Sequence, residues 1–316
     1  SHGQKLATEA YKLAIESGDF VFAGYIRVHL AGNMLFNGEK IESIIPELHQ
    51  FLKFGRNSDH QLLVDTVVCL QFIFLHLLGR KYDNMELEEQ ESRAVSGIKQ
   101  RGNGSTMLLW TVGKAMTKII CGEYKEAYRY LTEGKQQYWI YGRSHVIVTH
   151  YTFLEAITIA RRLLTERQMD RDQYTELLGQ LERNIEQIHL WSLDSTNFVA
   201  LYWLLAAERD QIVGQLDPYD ISGKYDTAIK FATEYGFTHL SALANECCFH
   251  YWSHLNKPHI ARVYLLNAYK GYQCWGAARK TDLLSSQYSD ILDERPSAVR
   301  SGRVEASKIR RNSEGL

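Results

Sequence analysis

Apolar positions recur in steps of three and four along most of the chain, the spacing that gathers them on one face of an α-helix. The pattern is plainest from Phe237 onward, through Leu240, Leu243, Ala244, Cys247, Cys248, Tyr251, Trp252 and Leu255. Asn256 interrupts it, and Pro258 stands where a first helical turn tolerates proline. The next helix presents Ile260, Ala261, Tyr264, Ala268, Gly271 and Trp275 on one face. Its small residues admit a neighbouring backbone, and its aromatics fill the space beside it. The same periodicity predicts helices near residues 4–16, 20–36, 40–54, 59–78, 105–120, 124–140, 145–165, 171–190, 196–215, 219–235 and 278–291. Turn chemistry separates them at Ser17-Gly18-Asp19, Asn37-Gly38, Tyr141-Gly142, Asp217-Pro218 and Tyr235-Gly236. No stretch sustains the alternation of a strand.

Two stretches depart from the pattern. Lys81 to Gly104 is acidic at its start and glycine-rich at its end, which predicts a long connection between sub-arrays 1–80 and 105–292. Beyond the helical-repeat domain, 1–292, residues 293–316 are polar and carry an excess of Lys and Arg over Glu, which predicts a solvated linker or tail.

A short signature recurs. Gly18-Asp19-Phe20-Val21-Phe22-Ala23 reads glycine, any residue, aromatic, two residues, alanine; Gly122 to Ala127 and Gly223 to Ala228 repeat it, and Asn256 with Ala261 keeps its two ends. The intervals from 18 to 122 and from 122 to 223 are close to three tetratricopeptide periods of ~34 residues, and that from 223 to 256 is close to one. In such a junction glycine ends a helix with positive φ, the aromatic enters the next first turn, and alanine marks the close contact of the pair.

Composition narrows the function. The chain has 316 residues, 45% of them apolar, and only four prolines, Pro46, Pro218, Pro258 and Pro296. A repeat array reaches this length without one oversized core, because each unit packs only on its neighbours. The net charge of −1 offers no field for nucleic acid or an anionic membrane surface. Five cysteines without a CxxC pair favour a reducing, cytoplasmic setting. The most apolar stretch, Leu62 to Leu78, contains Asp65, Gln71 and His76 and is shorter than the ~20 residues a membrane span requires, so it reads as a buried helix. The start, SHGQKLATEA, has neither an initiator Met nor a signal-peptide core, and reads as part of a longer protein.

Two segments go beyond generic repeats: SGDFVFAGYIRVHLAGNMLFNGEKIESIIPELHQFLKF, Ser17 to Phe54, and ALANECCFHYWSHLNKPHIARVYLLNAYKGYQCWGAARKTDLL, Ala242 to Leu284. Together they resemble the helical region of very large multidomain signalling kinases. In that family a protein-kinase-like domain and an AAA-type ATPase precede the helical region, and a GAF sensor and a histidine kinase follow it. The resemblance covers most of residues 1–292, and is most specific in ALANE, in IARVYLLNAY and in Trp275-Gly276-Ala277. It implies a spacer between ATPase and sensor in two-component signalling. No kinase motif lies within this chain, so no catalytic residue carries over.

Motifs for chemistry are sparse. Gly113-Lys114, Gly134-Lys135 and Gly223-Lys224 each lack the earlier glycine of a phosphate-cradling loop. HRD, DFG, GxSxG and HExxH are absent, and Gly18-Asp19-Phe20 has the residue types of DFG in the wrong order. Cys247, His250 and His254 lie along one side of a helix and are the best metal candidate, with His239 and His259 nearby. Cys247 also belongs to the apolar face, so packing competes with zinc for it, and no cofactor is expected. The abundant aromatics, 19 Tyr, 12 Phe and 6 Trp, suit helix junctions more than a ligand groove. Arg161-Arg162 and Arg310-Arg311 lack the surroundings of a nucleic-acid patch. The expectation is an all-α, tetratricopeptide-like superhelix of antiparallel helix pairs, a non-enzymatic scaffold whose partners are neighbouring domains or another protein. A free-standing peptide-binding adaptor is the rival, and an α/α enzyme or ligand carrier is the third reading.

Overall fold

The computed structural model describes residues 2–79, 85–141, 147–166 and 168–292. The linker expected over 293–316 and the Gly142 break lie outside them. The described residues form helices and no strand. In chain order the helices are α1 (His2–Glu16), α2 (Phe20–Met34), α3 (Ile41–Asn57), α4 (Gln61–Leu77), α5 (Met85–Gln100), α6 (Gly104–Ile120), α7 (Tyr124–Glu133), α8 (Lys135–Tyr141), α9 (Ile147–Thr165), α10 (Arg171–Asp194), α11 (Val199–Val213), α12 (Pro218–Glu234), α13 (Thr238–His254), α14 (Pro258–Trp275), α15 (Ala278–Gln287) and α16 (Ser289–Leu292). A 3-10 turn, Thr196–Phe198, precedes α11.

One local device joins many of them. A residue of positive φ closes a helix at Gly18, Asp59, Gly102, Gly122, Gly236, Asn256 and Gly276, and the next residue caps the following helix. The capping residue's N–H reaches back five residues: Asp19 to the Ala14 carbonyl at 2.9 Å, Glu123 to Lys118 at 2.8 Å, Phe237 to Ala232 at 2.8 Å and Ala277 to Tyr272 at 3.0 Å. This is the Schellman arrangement, which satisfies carbonyls that a helix end leaves open. Three caps add a side-chain acceptor: Asp19 Oδ1 takes the Phe22 N–H at 2.9 Å, His60 Nδ1 takes that of Leu63 at 3.3 Å, and Asn103 Oδ1 takes that of Thr106 at 3.4 Å.

The predicted junction signature holds at three of its four occurrences. Ala23, Ala127, Ala228 and Ala261 are all buried, as the close-contact role requires. Gly18, Gly122 and Asn256 hold left-handed junctions, but Gly223 lies inside α12. The Asp217 carboxylate caps that helix and Pro218 starts it, so the turn falls before the motif. The 223-to-256 interval is therefore no repeat length. Helix pairs run instead from Gly18 to Asp59 and from Gly236 to Gly276, both longer than the ~34 residues of the expected period.

The long connection expected over 81–104 is corrected: most of it is α5. Its inward stripe is Glu91, Val95 and Ile98, and a carboxylate in the stripe disguises the helical period. With α4 also packed directly on α6, one core runs from Ala31 to Leu284, and the proposed sub-arrays share it. The single helix expected over 124–140 breaks at Gly134, where a Cβ would come within 2.4 Å of Thr111. Ala261 and Ala268 are buried on α14, and Gly271 lets α14 approach α13 so closely that a Cβ would sit 2.8 Å from that of Ala242.

The stack returns on itself. Gly38, between α2 and α3, lies against Gly236 and against Thr238 at the start of α13, and Gly79, after α4, lies against the backbone of Arg279 in α15. No helix of the described residues is long and apolar enough to cross a membrane. Leu62 to Leu78 is the core helix α4, and its interruptions Asp65 and His76 are buried with polar partners, Asp65 with Arg101 and His76 with Glu91.

Candidate functional site

The returning stack encloses a cavity of about 390 Å³, lined by the end of α2, by α6, α9 and α11, and by the turn into α13. Phe36 stacks flat on His150, with ring centroids 3.6 Å apart and planes within 7°. His239 packs beside Trp275 at 5.3 Å. Burial pushes the imidazole pKa of His150 down to about 3 and that of His239 down to about 4, so both rings are uncharged at neutral pH. The Nδ1 of His239 is buried without a hydrogen-bond partner. Asn33, Asn37, Asn197 and Glu39 supply the other polar groups of the lining. A second cavity of about 370 Å³ adjoins it, sharing Asn33 and Phe36, and its wall includes Tyr25, His29, Thr66, Thr106 and Tyr141. Periodicity gave no sign of this site, because Phe36, His150 and His239 come from separate helix hairpins and only folding gathers them.

Three buried polar clusters lie in the helix interfaces. Arg161 of α9 faces Glu208 of α11 at 3.3 Å, and the Tyr225 hydroxyl of α12 donates to the same carboxylate at 2.7 Å. Glu246 of α13 accepts from Lys280 of α15 at 2.5 Å and from the Tyr272 hydroxyl of α14 at 2.7 Å. Burial opposes the Glu246 charge, but the Lys280 ammonium beside it holds the carboxyl at about 2. Lys114 of α6 donates to Glu91 of α5 at 2.9 Å and touches His76 of α4 at 2.5 Å. Burial lowers both the Lys114 and the His76 pKa, while His76 and Lys114 together keep Glu91 below its ordinary value against burial. Each cluster ties three helices together.

The structure does not bring the candidate metal ligands together. Cys247 is 1% exposed in the core, and burial raises its thiol pKa well above the ordinary value, against the thiolate that zinc requires. His250 points to Glu246 at 3.7 Å, and His254 is exposed at the end of α13. Among the described residues no group of three or more His, Cys, Asp or Glu is arranged to hold a metal ion. His239, noted only as a neighbour of these residues, belongs to the cavity instead.

The surface carries a second feature. Phe20, Val21 and Phe22 at the start of α2 are each more than half exposed, as are Leu6 and Leu13 of α1. The opposite side of this hairpin packs through a small separate cluster of Ala14, Ala23 and Ile26. No family model matches the chain, and no curated protein matches it.

Proposed function

We propose that this chain is a non-catalytic scaffold of a multidomain signalling kinase, which docks a neighbouring domain of its parent or a partner protein through the α1–α2 end. The observation that carries this reading is the apolar character of α2 on both sides. One side seats Ala23 and Ile26, and the other leaves Phe20, Val21 and Phe22 open. A helix apolar all round is a helix covered all round in its working state, and contiguous exposed apolar side chains mark protein contacts. Two things support the absence of catalysis in this reading. The buried carboxylates of Glu91, Glu208 and Glu246 are each paired with a buried Lys or Arg, and the described cavity lining holds no nucleophile beside a base. The resemblance to signalling kinases supplies the parent, the ATPase and the sensor as the domains to be held.

The test measures binding of the parent's AAA-type ATPase domain and GAF domain to this chain in trans. At least one of them binds, and Phe20→Glu with Phe22→Glu weakens it about tenfold or more with an unchanged unfolding midpoint. Binding of neither domain, or equal binding by the variant, removes the reading. A free-standing peptide adaptor would use the same surface. A GAF or histidine-kinase domain after residue 316 in the parent reading frame favours the scaffold, and a stop codon there favours the adaptor.

A further inference from the structure

We propose that the 390 Å³ cavity is a binding site for a neutral aromatic small molecule held between its aromatic walls. Interiors pack to the density of organic crystals, so a space of this size is not a by-product of ordinary core packing. It falls in the ~300–1,000 Å³ range of small-molecule sites, and, as such sites do, it combines apolar walls with a few polar groups.

The lining selects the chemistry. Phe36, Phe153, Phe198, Tyr235 and Phe237 present ring faces and edges, which suits a flat aromatic guest. Neither Lys nor Arg lines the cavity, so an anion finds no counter-charge. The only carboxylate is Glu39, which accepts from the Asn37 amide at 3.4 Å. The two imidazoles are uncharged at neutral pH, as burial requires. An anionic guest would thus lose its hydration without a partner in return. His239 Nδ1 lacks a hydrogen-bond partner, but it faces the turn after α2, where a Cβ on Gly38 would fall 2.9 Å from it, and so offers the guest no bond.

The site is separate from the α1–α2 surface, so its test does not depend on the scaffold reading. The probe is N-phenyl-1-naphthylamine, neutral, aromatic and carrying one N–H, titrated into the whole chain and followed by fluorescence. Its partner is 8-anilinonaphthalene-1-sulfonate, which differs by one negative charge. The neutral probe saturates at one per chain with a blue-shifted emission, and the sulfonate binds about tenfold more weakly or worse. Asn197 is exposed at the mouth and lines this cavity but not its neighbour, so Asn197→Trp obstructs entry without touching the core. It weakens the neutral probe about tenfold, with circular dichroism and the unfolding midpoint used to confirm that the variant is folded. Absence of saturable binding, equal binding of the sulfonate, or the folded variant binding as tightly as the parent sequence overturns the proposal.

Discussion

Arg279 Nη2 lies 3.4 Å from Glu123 Oε1 although 156 residues separate them in sequence. The contact joins the start of α7 to α15, and the Arg279 backbone also meets Gly79 at the end of α4. Shape and charge contribute unequally to this closure. The ion pair is about one-third exposed on each side, and such pairs contribute about 0–1 kcal/mol. Gly79 has φ +65° and a Cβ there would fall 2.9 Å from the Arg279 nitrogen. Gly79→Ala is therefore expected to lower stability by about 1–3 kcal/mol. Glu123→Ala also removes the pair with Lys118, and loses about 1 kcal/mol or less. Urea unfolding of both variants checks the order, and a larger loss for Glu123→Ala that Lys118→Ala does not reproduce would show that charge holds the closure.

The α13–α14 contact is set by small side chains. Ala261 is 2% exposed, and the neighbouring approach at Gly271 leaves no slack along that helix pair. Ala261→Leu is expected to overpack the interface and cost about 1–3 kcal/mol. An unchanged unfolding midpoint would contradict the packing assigned to that face.

These alanines were legible in the sequence because spacing in threes and fours reports burial directly. The buried charges were not. Glu91 occupies a core position of α5, yet in sequence it belongs to an acidic run that reads as solvated, and only Lys114 and His76, from two other helices, make its burial tolerable. Gly223 failed for the opposite reason. It matched a loose local pattern, while the decisive signal, Asp217-Pro218, lay six residues before it. The cavity was invisible because no window of sequence contains both Phe36 and His239. His150 and His239 carried no periodic signal, whereas Cys247, His250 and His254 carried a helical one that folding then divided between core and surface.

Glu246 gives the protein an acid-sensitive joint. Its carboxyl titrates at about 2 in the folded chain against an ordinary value of 4.5. A depressed folded pKa means that the stabilisation is complete above about 4.5 and is lost as pH falls through about 2. Stability is thus expected to decline over that window, and Glu246→Gln is expected to flatten the decline. Chemical denaturation at several pH values between 5 and 2 measures it. An identical pH slope in the variant would assign the acid sensitivity to other carboxylates.

The last expectation concerns α5 and what holds it. Among the described residues its inward contacts are Val95, Ile98 and the Glu91 carboxylate, and the last is shared with Lys114 and His76. Removing one member of a buried pair leaves the others charged or polar without a partner, which costs about 3–5 kcal/mol in a well-buried site. Glu91→Ala therefore leaves the Lys114 ammonium uncompensated at 5% exposure. Glu91→Ala with Lys114→Met removes both charges and fills the space with an unbranched apolar chain. The double variant is expected to be more stable than the Glu91→Ala single, because the remaining cost is a lost tie between helices and not a stranded charge. Hydrogen exchange separates the two effects: amides of Glu91 to Gln100 exchange faster in both variants, while α6 amides around Lys114 exchange faster only in the single. Unchanged protection of α5 in the single variant would mean that Val95 and Ile98 suffice to seat the helix, and that the buried triad is not what docks it.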